Sequence, residues 1–187
     1  AYTLSDETCR MMAENGTFLT PTLVVSHCND YLRKHGSPEW QLRKQEAAAR
    51  EHINSCRRAA QAGVTICTGT DLLPSDPIAG TTPTVREAEL LVEDVGMTPL
   101  QAIRSATRNG ADLCGILQET GTLEPGKLGD FIIVEGRPDQ NIRDLRNIRL
   151  ISKGCRLVKS DLPAITKQNF NPMMAGVPCD GGTFRLW

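Results

Sequence analysis

The stretch Gly63-Val-Thr-Ile-Cys-Thr-Gly-Thr-Asp71 constrains the fold more than any other part of this chain. A helical pattern ends at Ala62-Gly63, and a short apolar run then stops at one carboxylate. Strand alternation places Val64, Ile66 and Thr68 on one face and Thr65, Cys67, Gly69 and Asp71 on the other. The bulky first face suits packing under helices. The second face is small and delivers Asp71 at the strand's C-terminal end, the end that carries the chemistry in barrels of alternating strands and helices. Taken alone, Asp71 reads first as a cap for the turn before Leu72-Leu-Pro-Ser. The rest of the chain reverses that judgement.

Upstream, Ser5 is an N-cap for a helix over 6–15, with Gly16 at its C-terminal end. Thr17 to Val25 reads as a strand interrupted by Pro21, which bars it from a regular central ladder over its full length. His27 to Gly36 is polar and reads as loop or irregular helix. Ser37-Pro38 opens a long helix ending near Ala62, with Leu42, Ala49, Ile53, Cys56 and Ala60 as a buried stripe. Downstream, Leu72 to Thr82 is turn-rich. Thr84-Val-Arg-Glu87 matches a capping box, and Val85, Ala88, Val92 and Val95 follow on one helical face. A further helix runs from Thr98-Pro99 to Asn109-Gly110, and a short one covers Ala111 to Cys114. The character then changes. Asp130 to Val134, Ile148 to Ile151 and Cys155 to Val158 are short strands joined by turns, which predicts a small β-module.

As far as Gly96 the order is helix, strand, helix, strand, helix, the repeat of a parallel α/β fold. Two strands cannot close a barrel of the usual eight strands and about 250 residues. The chain therefore reads as an odd small α/β domain or as the end of something larger, and the second reading is favoured. Its 187 residues, 40% hydrophobic with a formal net charge of -1, describe an ordinary globular polypeptide. Near-neutral charge argues against binding nucleic acid or a membrane surface through electrostatics. The apolar runs are too short to span a bilayer. The chain begins at Ala1 rather than Met and shows no signal peptide. Seven dispersed cysteines without a C-x-x-C pair read as reduced thiols, so a cytoplasmic location is expected.

Three segments carry a resemblance. Ala62 to Asp71 is the first. The run Glu87-Ala-Glu-Leu-Leu-Val-Glu-Asp-Val-Gly-Met-Thr-Pro-Leu-Gln-Ala-Ile-Arg-Ser-Ala-Thr-Arg-Asn-Gly-Ala-Asp-Leu-Cys-Gly115 is the second. Gly121-Thr-Leu-Glu-Pro-Gly-Lys-Leu-Gly-Asp-Phe-Ile-Ile-Val134 continues it. In this order they resemble the C-terminal signature of metal-dependent amidohydrolases, in the branch of imidazolonepropionase-like enzymes and Xaa-Pro or Xaa-Arg dipeptidases. The resemblance covers about residues 1 to 160.

The resemblance implies a fold class: α/β, the C-terminal portion of a (β/α)8 TIM-like barrel with strands seven and eight and their flanking helices, plus C-terminal strands of a small β-sandwich. Residues 1–115 would form the barrel part, 116–160 the sandwich strands and 161–187 an extended tail. The family's metal-binding histidine of strand six would lie just before Ala1, with the strand-one histidines, the strand-four bridging residue and the strand-five histidine further upstream. Asp71 is then the one residue to which a metal-ligand and catalytic role carries over. The implied cofactor is a divalent metal, zinc by preference, as one or two ions. The implied partner is a small-molecule or dipeptide-like substrate, with homo-oligomerisation left open. The implied activity is hydrolysis of a C–N bond, the chain by itself being inactive. A non-catalytic scaffold derived from such an enzyme is the alternative.

Other candidates have simpler readings. His27, His35 and His52 form no H-x-H or H-x-x-H pair. His27 could reach a substrate but reads as a surface residue, and His52 as structural or exposed. Glu87, Glu89, Glu93 and Asp94 read as a solvated helix face. Cys67 reads as small filler beside Asp71 rather than a nucleophile. Related enzymes often carry His-Gly in the loop after the strand-eight Asp, whereas Pro77-Ile-Ala-Gly-Thr-Thr82 has no histidine.

Overall fold

The computed structural model describes residues 3–72, 77–163 and 165–166, and it divides into two compact units, Ala1–Ala106 and Thr107–Trp187. The sequence-predicted tail over 161–187 lies largely outside the described residues.

The first unit repeats one local device twice. Helix α1 (Asp6–Glu14) is capped by Ser5, whose Oγ accepts from the Thr8 N–H, and it leads through Gly16 into strand β1 (Phe18–Leu19). Helix α4 (Glu39–Gln61) leads through Gly63 into strand β2 (Thr65–Ile66). At both exits the glycine has positive φ, 64° and 85°. Thr17 N–H donates to Met12 O at 2.8 Å, and Val64 N–H to Ala59 O at 3.0 Å. These six-to-one bonds are Schellman closures. The left-handed residue they require is one that glycine occupies without a Cβ penalty. The strands pair in parallel, Phe18 with Thr65 and Leu19 with Ile66, and Cys67 N–H extends the ladder to Leu19 O at 2.9 Å. Leu4, Cys9, Leu19, Ala59 and Val64 form one buried cluster beneath this pair. Ile66 and Cys67 are both buried although they point to opposite faces, the mark of a parallel strand covered on both sides.

Several expectations are corrected. The predicted strand over 17–25 is extended only at Phe18–Leu19, because helix α2 (Leu23–Ser26) begins just past Pro21. Helix α3 (Asn29–Lys34) follows it. The long helix has Pro38 at its N-cap, not its first turn, and no side-chain cap. Helix α5 (Pro83–Glu93) starts two residues earlier than the capping-box pattern suggested. Thr82 is its N-cap, Pro83 takes the first turn, and Glu87 faces inward instead of reaching back to a cap. The acidic run is accordingly no solvated face: Glu87 and Glu89 are both 0% exposed, and Glu89 is paired to Arg86 Nη1 at 2.9 Å. Helix α6 (Pro99–Ala106) stops before Asn109-Gly110. Thr98 and Gln101 form its reciprocal cap, with Thr98 N–H donating to Gln101 Oε1 at 2.8 Å.

In the second unit, helix α7 (Arg108–Leu113) runs through Gly110 rather than beginning at Ala111. Strands β3 (Phe131–Val134), β4 (Ile148–Lys153) and β5 (Arg156–Ser160) form an antiparallel sheet with β4 in the centre, which agrees with the expected β-module. Gly154 and Cys155, with φ of 52° and 62°, make the two-residue hairpin turn between β4 and β5, where only primed turns match the strand twist. Leu150, Ser152 and Leu157 are buried on one face of the sheet. Among the described residues no helix is long and apolar enough to cross a membrane.

Candidate active site

Because β1 and β2 are parallel, the segments that leave them emerge at the same end of the sheet. Backbones approach closely there. A Cβ on Gly69 would stand 2.4 Å from Thr20 Cγ2, so only glycine lets the exit of β2 pass the exit of β1 undisturbed. Beyond Gly69 the strand alternation ends. Asp71 adopts φ 53°, a left-handed conformation that a short polar side chain tolerates better than most, and it is exposed. It therefore does not share the buried face of Cys67, as simple alternation predicted. The turn is held by its neighbour: Leu72 N–H donates to Thr70 Oγ1 at 3.4 Å, and the same hydroxyl donates to Leu72 O at 3.3 Å. Among the described residues the Asp71 carboxylate has no hydrogen-bond or ion-pair partner.

A second constellation surrounds α2. Leu23 N–H donates to Glu87 Oε1 at 2.9 Å and Val24 N–H to Glu87 Oε2 at 2.7 Å, so a carboxyl on α5 caps a helix that follows β1. Burial pushes the Glu87 carboxyl up to about 8, against the downward pull of these two N–H donors. Ser26 Oγ donates to Leu23 O at 3.0 Å and lies 3.0 Å from His52 Nδ1 and 3.1 Å from His27 Nδ1. With its proton committed to Leu23 O, the hydroxyl accepts from the Nδ1–H of His52. Burial holds the His52 imidazole down at about 4, and its side chain is 4% exposed. His27 sits at the end of α2, half-buried, with Nδ1 2.8 Å from Leu23 O. An open groove of about 400 Å³ runs between His27, Cys28 and Tyr31, Glu46 of α4, Ile78, and Arg86 of α5.

The sequence-predicted residues are thus dispersed. Asp71 lies at the sheet end, His27 lines the groove, and His52 is buried under α2. His35 is exposed, its ring 4.1 Å from that of Tyr31, and Cys67 is buried filler. Glu87 and Ser26 were missed. The signal for Glu87 was the short apolar run Leu23-Val-Val-Ser26, which lacks a capping side chain of its own. Among the described residues no group of three or more His, Cys, Asp and Glu side chains could hold a metal ion. An exposed carboxylate without a partner among the described residues suits a divalent cation as one hard oxygen ligand, so the described residues fit a single ligand and not a complete coordination shell.

Residues 3–183 match the amidohydrolase family. The chain is 32% identical over 158 residues to ochratoxinase from Aspergillus niger, covering 82% of this chain and 32% of that protein. It superposes on the A. niger ochratoxinase crystal structure with a TM-score of 0.70 at 31% identity, over 89% of this chain and 37% of the other. A Xaa-Pro dipeptidase structure with methionine bound in its active site matches with a TM-score of 0.66 at 32% identity, over 80% and 36% of the two chains. Imidazolonepropionase from Cutibacterium acnes is 26% identical over 152 residues, covering 76% of this chain and 38% of that protein. The chain thus spans about a third of the length of the relatives it matches. It belongs to the amidohydrolase family, in the branch that includes imidazolonepropionase and Xaa-Pro dipeptidase.

Proposed function

We propose that this chain supplies the last two strands of a (β/α)8 barrel in a metal-dependent hydrolase of C–N bonds, with Asp71 as metal ligand and proton carrier. The observation that carries the reading is Asp71 itself. It is an exposed carboxylate at the C-terminal exit of a parallel strand, in a left-handed conformation, with no partner among the described residues. The turn it occupies is held by Thr70. A carboxylate so placed can take a ligand, and membership of the amidohydrolase family supports a divalent metal as that ligand.

A divalent ion, zinc by the preference of nitrogen and oxygen donors, supplies a lowered water pKa and a polarised carbonyl. Asp71 accepts the proton of the attacking water and hands it to the leaving nitrogen. Both duties need a charged carboxylate, so an amide of the same shape serves neither. Ochratoxinase, imidazolonepropionase and Xaa-Pro dipeptidase among its relatives point to a small-molecule or dipeptide-like substrate.

The test is metal removal from the protein completed by the remaining barrel strands. Chelation should abolish hydrolysis of Xaa-Pro dipeptides, and added zinc should restore it. Undiminished turnover in metal-free protein would contradict the reading.

A further inference from the structure

Glu87 is a fully buried acid that the proposed chemistry does not use. Its surroundings give it a different task. Helix α2 has four residues, too few to persist on their own, and two of them are β-branched valines with weak helical preference. Its N-cap residue, Thr22, makes no side-chain capping bond. The first two helical N–H groups, of Leu23 and Val24, donate instead to the two oxygens of Glu87, 64 and 63 residues away. Leu23 and Val24 are themselves 0% exposed, so water cannot replace that cap. Among the described residues Glu87 has no cationic partner. Burying an acid without one is costly, and a neutral side chain of the same volume would fill the space at lower cost. What only a carboxyl offers is two acceptors set side by side for two successive N–H groups.

The location gives this cap its consequence. Helix α2 is the first element after β1, and the Cys28 that follows it lines the groove. The parallel pairing brings the exit of β1 to the same end as the exit of β2, where Gly69 presses on Thr20 and Asp71 follows. We propose that Glu87 is a positioning residue of this site: from α5 it caps α2 and fixes the connection after β1 against the strand end that carries Asp71. Naming the site rests on the reading of Asp71 given above. The cap itself does not.

Cysteines scattered through the unit make the proposal measurable. Cys28 is 3% exposed, and its Sγ donates to Val25 O at 3.2 Å immediately beyond α2. Cys9 on α1 is 0% exposed and lies in the buried cluster with Leu4, Leu19, Ala59 and Val64. Pulsed thiol alkylation at about pH 8.5, where Glu87 is ionised and thiols react, is read at each cysteine by peptide mass spectrometry. Glu87→Gln keeps the volume but sets an NH2 group against one N–H donor. It should raise labelling at Cys28 about 10-fold or more, the expected cost of a lost charge-assisted hydrogen bond, while Cys9 stays within about 2-fold of the unmodified chain. In Glu87→Ala, added formate should restore protection of Cys28, and ethanol should not. Equal acceleration at Cys28 and Cys9 would make Glu87 ordinary core packing and overturn the proposal, as would no acceleration at Cys28. In the completed barrel protein, Glu87→Gln should raise KM several-fold with zinc content unchanged, and an unchanged KM would remove the positioning role. If Asp71 proves dispensable for turnover, the functional reading fails while the selective labelling of Cys28 still stands.

Discussion

Glu87 and His52 flank α2 from α5 and α4, and burial displaces their protons in opposite directions. Folded Glu87 titrates at about 8 against an ordinary 4.5, so the folded chain binds its proton more tightly than the unfolded chain does. Its contribution to stability is therefore greatest in acid and is lost as pH rises from about 4.5 to about 8. Folded His52 titrates at about 4 against an ordinary 6.5, so its contribution is present above 6.5 and is lost as pH falls toward 4. The two slopes cancel between about 4.5 and 6.5, and above that only Glu87 acts. Urea unfolding of the intact chain should show about 2 kcal/mol less stability at pH 8 than at pH 6.5, a slope that Glu87→Gln removes. An equal slope in the variant would contradict the buried, raised carboxyl. Neither group was legible in the sequence. Glu87 stood in a pattern that matches a capping box, and the partner N–H groups lie more than sixty residues earlier. His52 fell inside a helix rich in charged residues, with nothing local to mark Ser26 as its partner.

At the scale of elements, the helix-to-strand joints were the most legible features, because a glycine after a helical stripe carries its own physical cause. Gly16 and Gly63 both take the left-handed residue of a Schellman closure. Helix α2 was illegible for the converse reason. Leu23-Val-Val25 has strand propensity, and a cap supplied in trans overrides it. The close pass of β2 by β1 depends on Gly69. Gly69→Ala places a methyl 2.4 Å from Thr20 Cγ2 and should destabilise the chain by about 1–3 kcal/mol. Adding Thr20→Ser deletes that methyl, leaves Thr22 Cγ2 as a neighbour at 3.5 Å, and should recover most of the loss in a double-mutant cycle of urea midpoints. Additive effects of the two substitutions would show that the contact is not what Gly69 is there to avoid.

For the molecule as a whole, the family was readable because three long segments in fixed order carry it, and residues 3–183 match it. The site was only partly readable. Strand alternation carried Asp71 along the Cys67 face to the C-terminal end of β2, whereas the left-handed, exposed Asp71 breaks that alternation. We propose this exposed carboxylate as the chemical contribution of the chain to a larger barrel. The most direct measurement is turnover of Asp71→Asn in the completed, metal-loaded protein. Asparagine keeps the volume and one acceptor but cannot take a proton, so turnover should fall at least ~100-fold with folding unchanged. Asp71→Glu should fall nearly as far, since one more methylene displaces the ligand oxygen. A folded, metal-bound Asp71→Asn protein with near-normal turnover would contradict the claim.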